Sequence, residues 1–285
     1  MALYFLKHFQ KRCQYPRRIL DTNLALMPNG GQIIIDALDN NHQIAISELY
    51  DRFGVAEVLQ TTKDSQFMAS LLYYFGVLTL GGYDEGGALI LRIPNLVVQK
   101  LYVERIQEML LPQLKAKDEA VRVAKLFYQT GNMQSLCQFI EQSNFKVFDN
   151  RDYRWTNEFT IKTAFLTLLF DDTFYIMDSE TSLGRAYADL TMIIRPDMRQ
   201  YQLLDFLIEF KYVSLKKAEL SAEQLKQLSI SELNALEPVK DKLAESKTQL
   251  NNYRQILLSR YGNKLRLRTY SVVAVGYERL VVCEL

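Results

Sequence analysis

The most constraining feature of the sequence is a short apolar stretch that carries two opposite charges. Residues 206–213 read FLIEFKYV, in which only Glu209 and Lys211 are charged. Residues two positions apart on a β-strand point to the same face, so these two side chains project together while Phe210 faces the other way. Burying an isolated charge is costly, so such charges are paired, metal-bound or functional. The alternative, since this tripeptide is common, is a Glu-Lys pair on the exposed face of an edge strand.

A second carboxylate belongs to the neighbouring apolar segment. Asp189 lies in AYADLTMII, and the turn RPDMRQ connects this segment to the strand that carries Glu209. A hairpin of these two segments brings the two carboxylates together. Two carboxylates with backbone and water oxygens form a hard-cation site suited to Mg²⁺ or Mn²⁺. Such a cation can acidify a water and neutralise phosphate charge, while Lys211 orients the water or stabilises the transition state.

Several other kinds of catalytic site are excluded by the residues that they require. The two histidines, His8 and His42, lie far from any acidic cluster, which rules out a Ser-His-Asp triad and an HExxH zinc site. The N-terminal half contains no GxxxxGK[ST] loop, and its double glycines are interpreted as turns. We therefore expect no nucleotide site there, and carboxylates and lysine must carry any chemistry.

Composition indicates a globular chain in a reducing compartment. Of the 285 residues, 48% are hydrophobic and 24% charged, and the net charge of +1 neither demands nor excludes a polyanionic partner. The three cysteines are scattered without CxxC spacing, which argues against disulfides and a zinc cluster. No run of eighteen apolar residues exists and the N-terminus lacks a cleavage-site pattern, so we expect no membrane contact and a cytoplasmic location.

The pattern of elements divides the chain into three parts. Residues 1–115 are mostly helical, with a small β-hairpin around GGYDEGG, and this order favours a winged-helix-like domain. The pattern of residues 116–149 predicts two short helices, with a break between them near Gly131, that form a helical linker. Residues 150–285 alternate helices and strands and end in two apolar strands, which predicts an α/β core.

The order of residues in the C-terminal part resembles that of the PD-(D/E)XK nuclease superfamily. More narrowly, SETSLGRAYADLTMII followed by FLIEFKY is similar to the nuclease domain of bacterial AAA-ATPase-like fusion proteins. FMASLLYYFGVLTL with LRIPN resembles the segment that follows the ATPase in those proteins, whereas the ATPase part itself is missing. Ala188 stands where a proline often precedes the motif aspartate. The residues that match in order are Glu158 in an opening helix, Asp189, the triplet Glu209-Phe210-Lys211, and Gln249 and Tyr253 on a later helix.

The resemblance implies a restriction-endonuclease-like mixed sheet flanked by helices, with a role for each matched residue. Asp189 and Glu209 would be metal ligands and Lys211 the catalytic lysine. Glu158 would be an auxiliary ligand or would hold a metal-bound water. Its alternative role is that of a first-turn glutamate favoured by the helix dipole.

Further residues are candidates for substrate contact. Gln249 and Tyr253 lie four apart on one helix face, as in the Gln-xxx-Tyr element of related nucleases, although surface polar residues share this spacing. Residues 246–277 contain six basic residues and no acidic one, so Arg254 could contact phosphates, while a solvated helix end is the alternative. Arg185 and Arg195 flank the expected site, and either could instead pair with a nearby acid.

The function that these residues favour is metal-dependent hydrolysis of phosphodiester bonds, in DNA rather than RNA. A second hypothesis is a catalytically silent module that binds nucleic acid or protein on a nuclease scaffold, because a fold does not fix a function. A third is a shortened relative of the ATPase fusions, whose N-terminal half binds a protein partner or dimerises.

Overall fold

A computed structural model describes eight parts of the chain. These are Ile33, residues 43–50, 64–74 and 76–94, Val103, and residues 114–145, 158–183 and 186–285. The chain divides into two compact units, Met1–Met109 and Leu110–Leu285. Among the described helices, none has the length and apolar character needed to cross a membrane.

The described part of the first unit contains one helix and a three-stranded antiparallel sheet. The strands lie in the order β1-β3-β2, so the predicted hairpin is confirmed as β2 and β3. The Asp84 side chain closes its turn by accepting hydrogen bonds from the backbone N–H groups of Gly86 and Ala88. Most residues of the other predicted helices lie outside the described ones, apart from Ile33 and Val103, which are helical. The winged-helix-like arrangement stays a prediction. The elements are β1 (Gln43–Ile46), α1 (Ser65–Tyr74), β2 (Thr79–Tyr83) and β3 (Leu89–Arg92).

The second unit is built on a mixed five-stranded sheet. Its strand order is β4-β5-β6-β7-β8. Among the described strands of this sheet, only β6 and β7 are parallel neighbours. A parallel pair requires a crossover connection, which α5 to α8 provide. The elements are α2 (Leu114–Thr130), α3 (Met133–Ser143), α4 (Glu158–Leu169), β4 (Tyr175–Leu183), β5 (Ala186–Ile194), β6 (Asp205–Val213), α5 (Leu215–Ala218), α6 (Ala222–Gln227), α7 (Ile230–Ala235), α8 (Glu237–Tyr261), β7 (Leu267–Val275) and β8 (Arg279–Glu284).

Helices cover both faces of this sheet. On one face, the ring of Phe206 stacks on Phe127 of α2 at a centroid distance of 4.1 Å, and Phe210 contacts Phe165 of α4 at 4.9 Å. On the other face, Leu207 packs with residues of α8 in one apolar cluster. Because successive side chains of β6 point to opposite faces, the strand contributes to an apolar core on each side of the sheet. The predicted α/β architecture, a mixed sheet flanked by helices, is confirmed.

The two helices predicted for residues 116–149 lie in the second unit and pack on its sheet. Their break is at Gly131, as the sequence indicated, with φ +71°. The Tyr270 hydroxyl donates a 2.6 Å hydrogen bond to the Gly131 carbonyl, and an added Cβ at Gly131 would lie 2.6 Å from that hydroxyl. In α3, Glu141 accepts a hydrogen bond from the backbone N–H of Leu280 in β8. This segment therefore packs on the sheet at both of its helices.

The helical region after β6 is interrupted by serine caps. Ser214, Ser221 and Ser229 each begin a short helix, and their side chains accept a backbone N–H three residues later. Such caps satisfy helix N-termini that would otherwise lack acceptors. Leu225 and Leu233, each four residues after its serine, are fully buried against β6, β7 and β8. The short helices thus bring the chain across the sheet to the start of α8.

Candidate active site

The Glu-Lys pair of β6 lies in the interior of the sheet. β6 is the central strand of the five, and the side chains of Glu209 and Lys211 are only 2% and 7% exposed. Lys211 Nζ donates a 2.7 Å hydrogen bond to Glu209 Oε1. The alternative of an exposed edge strand is therefore wrong, and the two charges share the α8 face as the alternation predicted.

Asp189 lies next to this pair on β5. The strands are adjacent and antiparallel, as predicted, and their register runs as far as Leu190 opposite Ile208. Asp189 and Glu209 are the next residues beyond that last pair. There the Asp189 carboxylate accepts the backbone N–H of Phe210 at 2.8 Å. The Asp189 side chain is thus hydrogen-bonded to β6 at the point where the backbone pairing of β5 and β6 ends.

The two carboxylates interact strongly. Burial, and then the negative charge of Asp189, raise the pKa of Glu209 to about 7, against the lowering effects of Lys211 and of a hydrogen bond from the Asp189 backbone. A raised carboxyl pKa means that the environment disfavours the ionised form. Burial and the neighbouring carboxylate together therefore outweigh the stabilising effect of Lys211 on the ionised form of Glu209.

Helix α8 places a polar stripe over these residues. Ser246, Gln249 and Tyr253 lie three, four and seven positions apart, which is one face of a helix. Burial and the negative charges of Glu209 and Asp189 raise the pKa of Tyr253, so its phenol lies within their electrostatic field. Gln249 Oε1 is buried and has no hydrogen-bond partner among the residues that the structure describes.

A buried pair of serines next to the site was not predicted from the sequence. Ser246 of α8 donates a hydrogen bond to Ser271 of β7, and both side chains are buried. Ser271 stands opposite Glu209 in the parallel register of β6 and β7. The position of Ser246, three before Gln249, was a usable signal. Ser271 gave none, because its partner depends on strand order.

The comparison with protein families agrees with this geometry. Residues 156–278 match the family model of the PD-(D/E)XK nuclease superfamily. This segment is a PD-(D/E)XK nuclease-superfamily domain. No curated protein matches the chain, and no solved structure does. The match contains the whole site described above, and the sheet with helices on both faces fits a restriction-endonuclease-like fold.

For two other predicted site residues, the structure describes no side chain. Glu158 begins α4, a helix that packs through Phe165 on the Phe210 face of the sheet, but its side chain is not among those described. Arg185 falls outside the described residues altogether. The proposed roles of both residues stay predictions.

The predicted arginines within the described residues have different surroundings. Arg254 is half-buried, and its Nε has no hydrogen-bond partner in the described ranges. It follows Tyr253 directly, which places it about 100° further around α8. Arg195 lies just beyond the end of β5 that is remote from Asp189 and pairs with Asp197 at 3.3 Å, which is the alternative that the sequence left open.

Part of the basic segment 246–277 has a structural role in the nuclease-superfamily domain. Arg266 donates to the backbone carbonyl of Tyr201 at 2.7 Å, and Arg268 pairs with Glu284. Both arginines therefore hold the start of β7 in place. The segment is not a uniform phosphate-binding surface.

The oxygen atoms of the site fit a hard divalent cation. Within the described ranges no three His, Cys, Asp or Glu side chains form a metal cluster, and the described part of the site offers the carboxylates of Asp189 and Glu209. Glu209 Oε2 is buried without a hydrogen-bond partner in the described part of the chain. A buried oxygen of this kind needs a partner, and carboxylate oxygens suit Mg²⁺ or Mn²⁺.

Proposed function

We propose that this domain is a metal-dependent nuclease that hydrolyses phosphodiester bonds, with DNA favoured over RNA. The observation that carries the proposal is the buried Glu209 Oε2, which has no partner among the described residues and belongs to a carboxylate with a pKa raised to about 7. A purely structural ion pair would be expected to satisfy both oxygens. The superfamily match supports nucleic acid as the substrate.

In this proposal Asp189 and Glu209 hold Mg²⁺ or Mn²⁺, with Glu158 as an auxiliary ligand. A bound cation supplies Lewis-acid chemistry, since it acidifies a water and neutralises charge on the phosphate. Glu209 Oε1 holds Lys211 Nζ at 2.7 Å, which fixes the ammonium before substrate arrives. A preorganised ammonium stabilises negative charge that develops on the phosphate oxygens.

The residues of α8 would act on substrate position. Gln249 and Tyr253 would orient the nucleic-acid strand above the carboxylates of Asp189 and Glu209. Arg254 of α8 and, outside this helix, Arg185 would contact its phosphates. Phosphate contacts position a nucleic acid without reading its sequence.

The wider context of the chain is also a proposal. The resemblance to the AAA-ATPase-like fusion proteins supports a relation to that family, and a cytoplasmic location is consistent with the scattered cysteines. The first unit would then bind a protein partner or form a dimer. The second candidate function, a catalytically silent binding module, is kept because inactive members of enzyme folds occur.

The test is a plasmid-nicking assay with Mg²⁺ and Mn²⁺. Lys211→Ala should reduce cleavage on the order of 10²–10³-fold, the typical loss of one preorganised stabilising group. Asp189→Ala and Glu209→Ala should weaken the metal site itself, so excess cation restores their activity only in part. The matched control is Lys240→Ala, because Lys240 is an exposed lysine of α8 that pairs with Glu237.

The controls separate the two candidate functions. Thermal melts show whether each variant is folded. Equal cleavage by wild type and Lys211→Ala would contradict the assigned site. A folded wild type that cleaves neither DNA nor RNA with either cation would favour the silent module.

A further inference from the structure

Two lysines and one glutamate lie where β6 ends and α8 begins. Lys217 is exposed in α5, six positions after Lys211. Lys242 of α8 binds Glu245 Oε2 through its Nζ at 2.7 Å. We call Lys217 and Lys242 the rim lysines.

Packing brings the rim lysines to the same end of the site. α5 and the first turns of α8 share one apolar cluster, in which Ala218 and Leu243 pack with Val213 of β6. Lys217 directly precedes Ala218, and Lys242 directly precedes Leu243. One turn further along α8, the Ser246–Ser271 contact fixes the helix next to Glu209. The rim lysines therefore lie beyond Glu209 and Lys211, toward the C-terminal end of β6.

The pKa of Glu245 reflects the positive charges around it. Its pKa is lowered first by the hydrogen bond from Lys242, and further by the charges of Lys211 and Lys217. The glutamate side chain is 48% exposed, so solvent reaches it. Glu245 thus places an anionic group among three ammonium groups, one of them the proposed catalytic lysine.

A phosphodiester presents the same chemistry as this carboxylate, namely one negative charge on two acceptor oxygens. A nucleic-acid strand whose scissile phosphate is at Lys211 carries its next phosphates along the same surface. Within the part of the chain that the structure describes, Lys217 makes no salt bridge, so its ammonium is available to such a phosphate. Lys242 requires an exchange, because it already holds Glu245.

We propose that Lys217 and Lys242 bind a strand phosphate next to the scissile one, and that Glu245 holds Lys242 until this phosphate replaces it. The identity of the ligand rests on the proposed nuclease function. The rim lysines contribute affinity without sequence preference, since they contact only the backbone. Glu245 opposes binding, because it competes for Lys242 and repels the phosphate.

The test measures affinity for a fluorescent oligonucleotide, single-stranded and duplex, in EDTA over a range of salt. Lys217→Gln and Lys242→Gln should each weaken binding about 3–10-fold, and each should reduce the slope of log K against log salt by about 1. Glu245→Gln should strengthen binding about 2–5-fold by removing the competing charge. Wild-type cleavage of the same oligonucleotide is measured with Mg²⁺.

The matched controls are Lys240→Gln and Glu237→Gln. This pair is more exposed than Lys242 and Glu245 but has the same spacing and the same 2.7 Å contact, and Lys240 lies about 200° around α8 from Lys242. Both controls should bind as wild type does. Equal losses in the rim and control lysines would show non-specific charge attraction and overturn the proposal.

The remaining outcomes separate this inference from the nuclease proposal. If wild type cleaves and the rim variants bind normally, the rim site is wrong and the nuclease stands. If wild type binds through the rim lysines but does not cleave, the phosphate site stands and hydrolysis is wrong. If wild type neither binds nor cleaves, both are overturned.

Discussion

Glu209 and Lys211 occupy a position where an ion pair does not contribute stability by itself. Removing two charges from water costs several kcal/mol for each ion, and one contact seldom repays this. Glu209 is further disfavoured by the neighbouring Asp189, which raises its pKa. This cost is consistent with the proposed role of the pair at a metal site.

The raised pKa of Glu209 predicts how the stability of the metal-free protein depends on pH. Its folded pKa of about 7 exceeds the ordinary value of 4.5, so the folded state retains a proton that the unfolded chain releases. This contribution is fully present below pH 4.5 and is lost as pH rises through about 7. We expect wild type in EDTA to lose about 3 kcal/mol of unfolding free energy over that interval, relative to Glu209→Gln.

Urea unfolding at a series of pH values measures this difference. The comparison with Glu209→Gln cancels the titration of all groups that the two proteins share. If wild type and variant have parallel pH profiles, Glu209 titrates near its ordinary value and the electrostatic account of the site is wrong.

At the scale of elements, α8 positions the polar groups above the sheet. It runs from Glu237 to Tyr261, and most of its surface is polar, with a narrow buried stripe that includes Ser246 and Tyr253. The serine contact with β7 is a polar link within this stripe. Because Ser271 lies opposite Glu209, this contact helps to set the distance between α8 and the carboxylates.

Removal of one serine should therefore affect both stability and cleavage. Ser271→Ala leaves the buried Ser246 hydroxyl without its partner, which should cost about 1–3 kcal/mol of unfolding free energy. The double variant Ser246→Ala/Ser271→Ala should cost less than the sum of the two single variants, because no hydroxyl is left unsatisfied. A double-mutant cycle of urea unfolding, with cleavage rates for the folded variants, measures both effects. Additive losses would mean that the two hydroxyls do not depend on each other.

How much of this could be predicted from the sequence differs between elements. The strand β6, its buried charges and its antiparallel neighbour follow from alternation and a short turn, because these are local properties. The breaks in the helical region at Ser221 and Ser229 are also local features. Each serine is followed three residues later by Gln or Glu, a capping pattern that the sequence alone shows. The serine pair and the rim lysines required the order of strands, since Ser271 meets Glu209 only through the parallel pairing of β6 and β7.

For the whole molecule, the division into two units predicts which part of the chain carries the proposed nuclease activity. Residues 110–285 contain the five-stranded sheet, both helical layers and all the described site residues. We expect this fragment to unfold cooperatively and to cleave DNA within about tenfold of the full chain's rate, because the sheet and the helices on both of its faces lie within one compact unit. Circular dichroism melts and the nicking assay check the two parts of this prediction.

The informative failure is a folded fragment without activity. That result would place a necessary binding or assembly function in residues 1–109. An unfolded fragment would instead mean that the first unit stabilises the second. The full-length chain, assayed at the same concentrations, is the reference for both.

The bond from the Phe210 amide to Asp189 makes the backbone a reporter of the site. A cation that draws charge from the carboxylate weakens it as an acceptor, so the amide proton signal of Phe210 should shift as Mg²⁺ is added. Its exchange with deuterium should become faster for the same reason. Spectroscopy of this one central-strand amide would thus follow the charge of the Asp189 carboxylate, the proposed metal ligand, without any substrate.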